Sequence, residues 1–411
     1  MRCFMVILLL VLSVSWSMTL EEAINVALKN NTQVKLSELD LKRVEEDIRK
    51  ARAGILPQVS LSYSYTKLDK SLAFGFTPTE RQSYVFGVNQ SIFDKAVFDA
   101  IKLSKLAKDL QAYILEDVKR TVENQTKQLF YALLYKKEVV KLYQDNLSYW
   151  EENYKLTKAQ YEAGVVPMVN LLRSKAQLQT AEAQYQQALA DYKKSLEDFK
   201  AYLRWEEDIQ PEGSLEFKPF QEDYTTLRKL LLERNSTLLV AKKSVEVYEK
   251  RIDVAKDAYY PTISGFVTYQ GNTGRRSLSG GTEWIRGYTF GFQLNYNLFD
   301  GFQREANIAQ ANIDYLKQKE VYIDTLYTQD AQMKKTLEDI NSLKAQIRAL
   351  ESSLEAAKEA LRLSTERYRY GVTNQLEVLE SRANYNQTLQ NYYLLLYQYM
   401  SDLANIERLT K

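Results

Sequence analysis

Two kinds of hydrophobic spacing divide this chain. From Tyr288 to Leu298, the large apolar residues Tyr288, Phe290, Phe292, Leu294, Tyr296 and Leu298 alternate without a break with Thr289, Gly291, Gln293, Asn295 and Asn297. A period of two predicts a strand with one greasy face and one small, polar face. Val59, Leu61, Tyr63 and Tyr65 alternate in the same way with Ser60, Ser62 and Ser64, and Tyr84, Phe86 and Val88 with Val85, Gly87 and Asn89. Thr262 to Gln270 reads as a fourth strand with a poorer pattern, because Phe266 falls among the small residues. Each strand is expected to run about ten residues. The connections are expected around Phe74 to Arg81 and Gly271 to Arg286.

The second spacing is helical. Ile340, Leu343, Ile347, Leu350, Leu354, Ala357 and Leu361 recur in alternating steps of three and four, a seam for another helix, and Leu178, Ala181, Tyr185, Ala188 and Tyr192 do the same. Neither glycine nor proline occurs between Asp94 and Gly164, or between Gly301 and Gly371. An unbroken helix over either stretch would run about 100 Å. Each stretch therefore predicts one arm of a very long antiparallel helical hairpin, turning at Gly164 or Gly371, where positive φ ends a helix cheaply.

These elements occur twice in the same order. Leu28-Lys29-Asn30-Asn31-Thr32 recurs as Leu232-Glu233-Arg234-Asn235-Ser236, and Pro57 recurs as Pro261. Phe86-Gly87 answers Phe290-Gly291, Ile92-Phe93-Asp94 answers Leu298-Phe299-Asp300, and Tyr161-Glu162-Ala163-Gly164-Val165 answers Tyr368-Arg369-Tyr370-Gly371-Val372. Unlike landmarks held in register mark an internal duplication. The expected organisation is a signal peptide over residues 1–17, a first repeat over 18–210, a proline-bearing linker over 211–222 and a second repeat over 223–411.

The signal reading rests on Arg2, the apolar run Phe4 to Val14, and the small residues Ser15 and Ser17 before a cleavage site at Met18. That run is too short to span roughly 30 Å of hydrocarbon, and no other stretch approaches the ~20 apolar residues of a membrane helix. Any insertion must therefore use strands.

Composition narrows the chemistry. Across 411 residues, 55 Lys and Arg face 53 Asp and Glu, so no charge attraction to nucleic acid is expected. Histidine is absent, and the single cysteine, Cys3, precedes the apolar run, which also argues against a lipobox. The mature chain would lack imidazole and thiol, the usual general base and soft metal ligands. No phosphate loop or nucleophile elbow occurs, and no enzyme activity, cofactor or metal is expected.

Four amphipathic strands cannot close a barrel, and open edges in hydrocarbon leave backbone groups unpaired. Two copies would give eight strands around an interior filled by side chains; three would give twelve and leave room for a pore. The strand physics favours a homotrimer.

The duplicated plan of amphipathic helix, Pro-initiated strand pair, Phe-Asp joint and Tyr-x-x-Gly-Val turn resembles the TolC family of outer-membrane factors over the whole mature chain. The resemblance implies a mainly α fold with a small β part. Long helical hairpins would form a trimeric periplasmic α-barrel, and four strands per protomer would join a 12-stranded barrel in outer-membrane lipid. It implies an equatorial belt from the linker and C-terminal residues, and docking onto a periplasmic adaptor (membrane fusion protein) and an inner-membrane pump. The function implied is passive conduction of solutes to the exterior, in efflux or type I secretion. Carried onto this sequence, the docking tips are Tyr161, Gly164, Val165, Gly371 and Val372. The entrance acids match Glu377 and Glu380, three residues apart on one helix face, which threefold symmetry would turn into cation-favouring rings. Tyr368 matches the family's gate tyrosine, whereas Thr373 stands where the family has an arginine and Asn170 where it has an acid. A Tyr368 to Asn170 hydrogen bond would survive that change and a charged link would not. The alternative reading is a periplasmic coiled-coil adaptor or scaffold, which would carry one hairpin flanked by lipoyl-like domains and no duplicated strands.

Overall fold

The computed structural model describes residues 16–73, 78–276 and 282–411. Most of the described chain is helical. Two compact units form: one of residues up to Ser37, Leu115–Leu238 and Leu326–Lys411, the other of Glu38–Ile114 and Leu239–Thr325. Of the expected signal segment, residues 1–15 lie outside the described residues.

The second unit carries the sheet. Strands β2 (Gln58–Lys67), β3 (Glu80–Phe93), β5 (Thr262–Arg276) and β6 (Thr282–Asn295) pair antiparallel in the order β2-β3-β5-β6. Both edge strands, β2 and β6, are paired on one side alone. Because the register never slips over the middle of the sheet, side chains line up in rows. Leu61, Phe86, Tyr269 and Tyr288 stand side by side, as do Val59, Val88, Val267 and Phe290. Between them runs a small, polar row of Ser60, Gly87, Thr268 and Thr289. The apolar rows cover no protein core: Tyr288 is 74 % exposed and Phe292 81 %. A soluble sheet would bury that face against its own chain.

The irregular Phe266 also finds its place. It pairs with Gly291 on β6 and Asn89 on β3, and a Cβ at Gly291 would come within 3.2 Å of its ring. A bare backbone makes room for one large residue in the small row.

The second expected connection was too long. Instead of leaving the sheet at Gly271, β5 runs to Arg276 and β6 starts at Thr282. Gly271 and Asn272 look like turn formers, but pairing on both sides with β3 and β6 satisfies their backbone, which outweighs their weak strand preference. The connection itself, 277–281, and residues 74–77 lie outside the described residues. Three of the four strands exceed the expected ten residues, at 14, 15 and 14.

Each strand pair feeds a long helix. Asp94 caps α3 (Lys95–Glu162), its carboxylate accepting the Ala96 amide at 3.0 Å. One turn on, Asp99 is nearly buried and takes Lys95 at 2.9 Å, Lys102 at 3.0 Å and Lys250 at 3.1 Å, while Lys95 also reaches Asp257. Burial pushes the Asp99 carboxyl up, but the three ammonium groups outweigh it and hold it well below the usual carboxylate range. Burial keeps the Asp257 carboxyl raised.

In the first unit, α1 (Leu20–Asn30) and α5 (Tyr224–Arg234) occupy matching places before α2 (Thr32–Ala53) and α6 (Ser236–Lys256). The duplicated Asn-Thr and Asn-Ser steps are the breaks between them. The Asn235 side chain accepts the Leu238 amide at 2.8 Å and donates to the Leu409 carbonyl at 3.1 Å. Two hairpins follow the expected seams: α3 with α4 (Met168–Leu203), and α7 (Gln303–Arg369) with α8 (Gln375–Thr410). Ile340, Leu343, Ile347 and Ala357 of the first stripe and Ala181 of the second are buried.

The stretch expected as a linker, 211–222, is tied down at several points. Strand β1 (Trp16–Met18) pairs parallel with β4 (Ile209–Pro211), and Met18 is 1 % exposed. Beyond it, the fully buried Tyr399 hydroxyl donates to the Lys218 carbonyl at 2.7 Å and accepts the Phe220 amide at 2.8 Å, and Lys344 donates to the Phe220 carbonyl at 2.8 Å.

Candidate functional site

The two hairpin turns share one geometry. Val165 donates to the Gln160 carbonyl at 2.8 Å and Gly164 to that of Tyr161 at 2.9 Å; Val372 donates to Arg367 at 2.8 Å and Gly371 to Tyr368 at 3.0 Å. These paired bonds close the helix end on a left-handed residue, and Gly164 and Gly371 have φ of 71° and 70°. A Cβ at either glycine would meet nothing within 4 Å, so the backbone conformation, not crowding, demands glycine there. Around the first turn Val165 (70 % exposed), Met168 and Val169 are uncovered; around the second, Tyr370 (79 %) and Val372. Tyr161 is exposed beside them.

Past the second turn, Asn374 caps α8 by accepting the amides of Leu376 at 3.0 Å and Glu377 at 3.1 Å. That cap places Glu377 in the first turn, where the helix dipole favours a carboxylate. Its two oxygens are both engaged, one by Arg367 Nη1 at 2.7 Å and the other by the Thr373 hydroxyl. Glu380, one turn further, is exposed and forms no ion pair among the described residues. The two acids thus share a face but differ in partners: Glu377 is ion-paired within its own subunit, and Glu380 has no ion pair among the described residues.

Tyr368 is half-buried, and burial raises its hydroxyl above the usual tyrosine value. It lines an open cleft of about 810 Å3 with Tyr149, Asn153, Gln160 and Thr373. Asn170 sits at the start of α4, and among the described residues no hydrogen bond joins it to Tyr368. Behind the cleft, buried Gln375 donates to Asn153 at 3.2 Å, which ties α8 to α3 just above the turns.

Arg367, Asn153 and Gln375 escaped sequence reading. Arg367 and Glu377 face one another only because the glycine turn folds one helix back beside the other. An arginine in the last turn of α7 was the available signal, since that position favours a cation.

Among the described residues no group of His, Cys, Asp or Glu is placed to hold a metal, and no helix is long and apolar enough to cross a membrane. A match to the family model described as Outer membrane efflux protein covers residues 23–203 and 227–410, one segment per repeat. The chain is 23 % identical over 384 residues to the toluene efflux pump outer membrane protein TtgC of Pseudomonas putida, covering 89 % of this chain and 77 % of that protein. It is 21 % identical over 411 residues to the outer membrane protein TolC of Escherichia coli, covering 96 % and 82 %. Among solved structures, the Campylobacter jejuni CmeC outer membrane channel superposes with a TM-score of 0.78 at 17 % identity, covering 95 % of this chain and 85 % of that one, a likeness of fold.

Proposed function

Because this chain belongs to the outer membrane efflux protein family, whose members are channels of the outer membrane and not enzymes, we propose that it passively conducts solutes from periplasm to exterior. It is an outer-membrane protein that extends into the periplasm. Three copies would close a 12-stranded barrel, and their helical hairpins would continue the duct towards an adaptor and an inner-membrane pump, for efflux or type I secretion.

The observation that carries this reading is the four-stranded sheet with aligned apolar and polar rows and two unpaired edges. In hydrocarbon those edges demand partners, and identical neighbours supply β2 against β6 around a ring. The same sheet speaks against the adaptor reading, which offers no use for an exposed aromatic face.

The glycine turns, with Tyr161, Val165 and Val372, are the surface on which the adaptor would dock. Tyr368, Asn170, Thr373, Glu377 and Glu380 would form the entrance gate, opened on docking. Residues 1–17 would be removed as a signal peptide, leaving Met18 to pair with the start of the 211–222 linker.

Single-channel recording on the protein reconstituted in planar bilayers tests the proposal. Cation-selective conductance from a cross-linkable trimer is expected, with cation preference lowered by Glu377→Ala together with Glu380→Ala. A monomer without conductance overturns the channel; conductance with unchanged selectivity overturns the acidic gate alone.

A further inference from the structure

Within the first unit, α3, α4 and α8 line a partly open cavity of about 220 Å3. Its wall holds Arg382 and six carboxamide side chains, among them Asn146, Asn386 and Gln390, and no aspartate or glutamate. A polar wall with one fixed cation and no fixed anion is out of electrostatic balance.

The geometry of Arg382 sharpens that imbalance. Its guanidinium carbon lies 3.3 Å from the centre of the Tyr149 ring, so the ring covers one face of the group. Ring contact and a hydrogen bond to the Tyr149 side chain offset part of the cost of burying the cation, but they leave the Nε donor unserved. The Nε is buried without a hydrogen-bond partner. The groups that support its charge are the tyrosines Tyr149 and Tyr385, and burial depresses its proton affinity. Arg382 is partly buried, and a guanidinium drawn partly out of water is costly to the extent that no acceptor replaces that water.

Two of the neighbouring amides keep their donors. Asn146 Oδ1 already accepts from Asn386 Nδ2 at 3.0 Å, and Gln390 Oε1 from the Tyr143 hydroxyl at 3.1 Å. Each of those bonds fills one lone pair of an acceptor oxygen, and among the described residues no hydrogen bond is donated by the Asn146 or Gln390 amide N–H groups. The volume holds several waters of roughly 30 Å3 each, ample for a small hydrated ion.

We propose that this cavity binds a small inorganic anion, held by the Arg382 guanidinium and the carboxamide N–H groups of Asn146 and Gln390. The anion supplies the counter-charge the wall lacks and ties α8 to the α3–α4 hairpin. The site is built by one subunit and does not depend on the channel reading.

Trp150 lines the same cavity and is 4 % exposed, which provides a reporter. In the detergent-solubilised mature protein, freed of residues 1–17 and carrying Trp205→Phe and Trp284→Phe, iodide should quench Trp150 emission saturably, and sulfate should compete. Arg382→Gln should abolish the saturable part, and Asn146→Leu should weaken it several-fold. Bromide soaked into crystals of the unaltered protein should give an anomalous peak beside Arg382. Quenching that rises linearly with iodide and ignores sulfate overturns the site, as does a neighbouring subunit's carboxylate occupying the cavity in the crystal. Should Arg382→Gln not fold, the titration and the bromide peak of the unaltered site decide the matter by themselves.

Discussion

The ring of Tyr84 on β3 occupies the space that a side chain on Gly271 of β5 would need: a Cβ built there would stand 2.6 Å from its Cε1 and Cζ atoms. The two residues are direct partners in the ladder, and Tyr84 also packs against Tyr269 at 6.0 Å and Trp284 at 5.5 Å between ring centres. Glycine in the strand therefore serves as a seat for an aromatic cluster. Gly271→Ala should displace the Tyr84 ring and destabilise the protein by about 1–3 kcal/mol, the usual cost of overpacking. A lower thermal midpoint with altered Trp284 emission would confirm it; an unchanged midpoint would show that the ring swings away freely.

The hairpin turns make a cleaner conformational prediction. With φ of 71° and 70° and open space around both, Gly164→Ala and Gly371→Ala should each cost about 1–2 kcal/mol through backbone strain alone. Asn at the same positions should cost less, because it tolerates the left-handed region. Thermal midpoints of the four variants check this, and equal effects of Ala and Asn would refute a backbone cause.

Tyr399 holds the linker through two hydrogen bonds made by a single hydroxyl. Tyr399→Phe keeps the packing but leaves the Phe220 amide and Lys218 carbonyl without that partner. The expected loss is about 1–3 kcal/mol, and hydrogen exchange should quicken over the linker before it does in the long helices. Protection unchanged at Phe220 would mean that Lys344 and packing suffice.

The Lys127 and Glu407 pair sets a pH window. Burial pushes Glu407 up, but Lys127 and Lys411 outweigh it, so its carboxyl is held below the ordinary value. Burial pulls Lys127 down, but its bonds to Glu123 at 2.8 Å and Glu407 at 2.7 Å raise it overall. A lowered acid stabilises above its unfolded value and loses that contribution as pH falls through its folded value; a raised base stabilises below its unfolded value and loses it as pH rises. The pair therefore contributes most between about pH 4.3 and 10.4. The gap in thermal midpoint between the native protein and Glu407→Gln should be widest near neutrality and narrow below about pH 4. A gap independent of pH would assign the effect to packing.

Arg367 should tune any selectivity carried by the entrance acids. Since it holds Glu377 at 2.7 Å while Glu380 has no ion-pair partner among the described residues, Glu380→Gln should lower cation preference more than Glu377→Gln does. Arg367→Gln should raise it. Reversal potentials in a salt gradient measure all three, and equal effects of the two glutamates would mean that Arg367 releases Glu377 in the assembled protein.

The sequence alone determined the elements and their order. Strand alternation, three-four seams, glycine turns and the repeat are statements about residues close together in the chain, where backbone period decides which face a side chain takes. Hence both long helices, both turns and all four strands were legible, whereas the helix break at Asn235 showed in the sequence as a repeated landmark alone. What the tertiary structure decided lies between residues far apart in sequence. Gly271 became strand because β3 and β6 satisfy its backbone from both sides, and Phe266 found room over Gly291 on another strand. Tyr399 meets the linker, Arg367 meets Glu377 and Arg382 is left beside Tyr149 because the helices pack in one particular rotational phase. Local hydrophobic period leaves that phase open within a turn of helix; side-chain packing across the hairpins selects it, and with it which charges are paired and which stand alone.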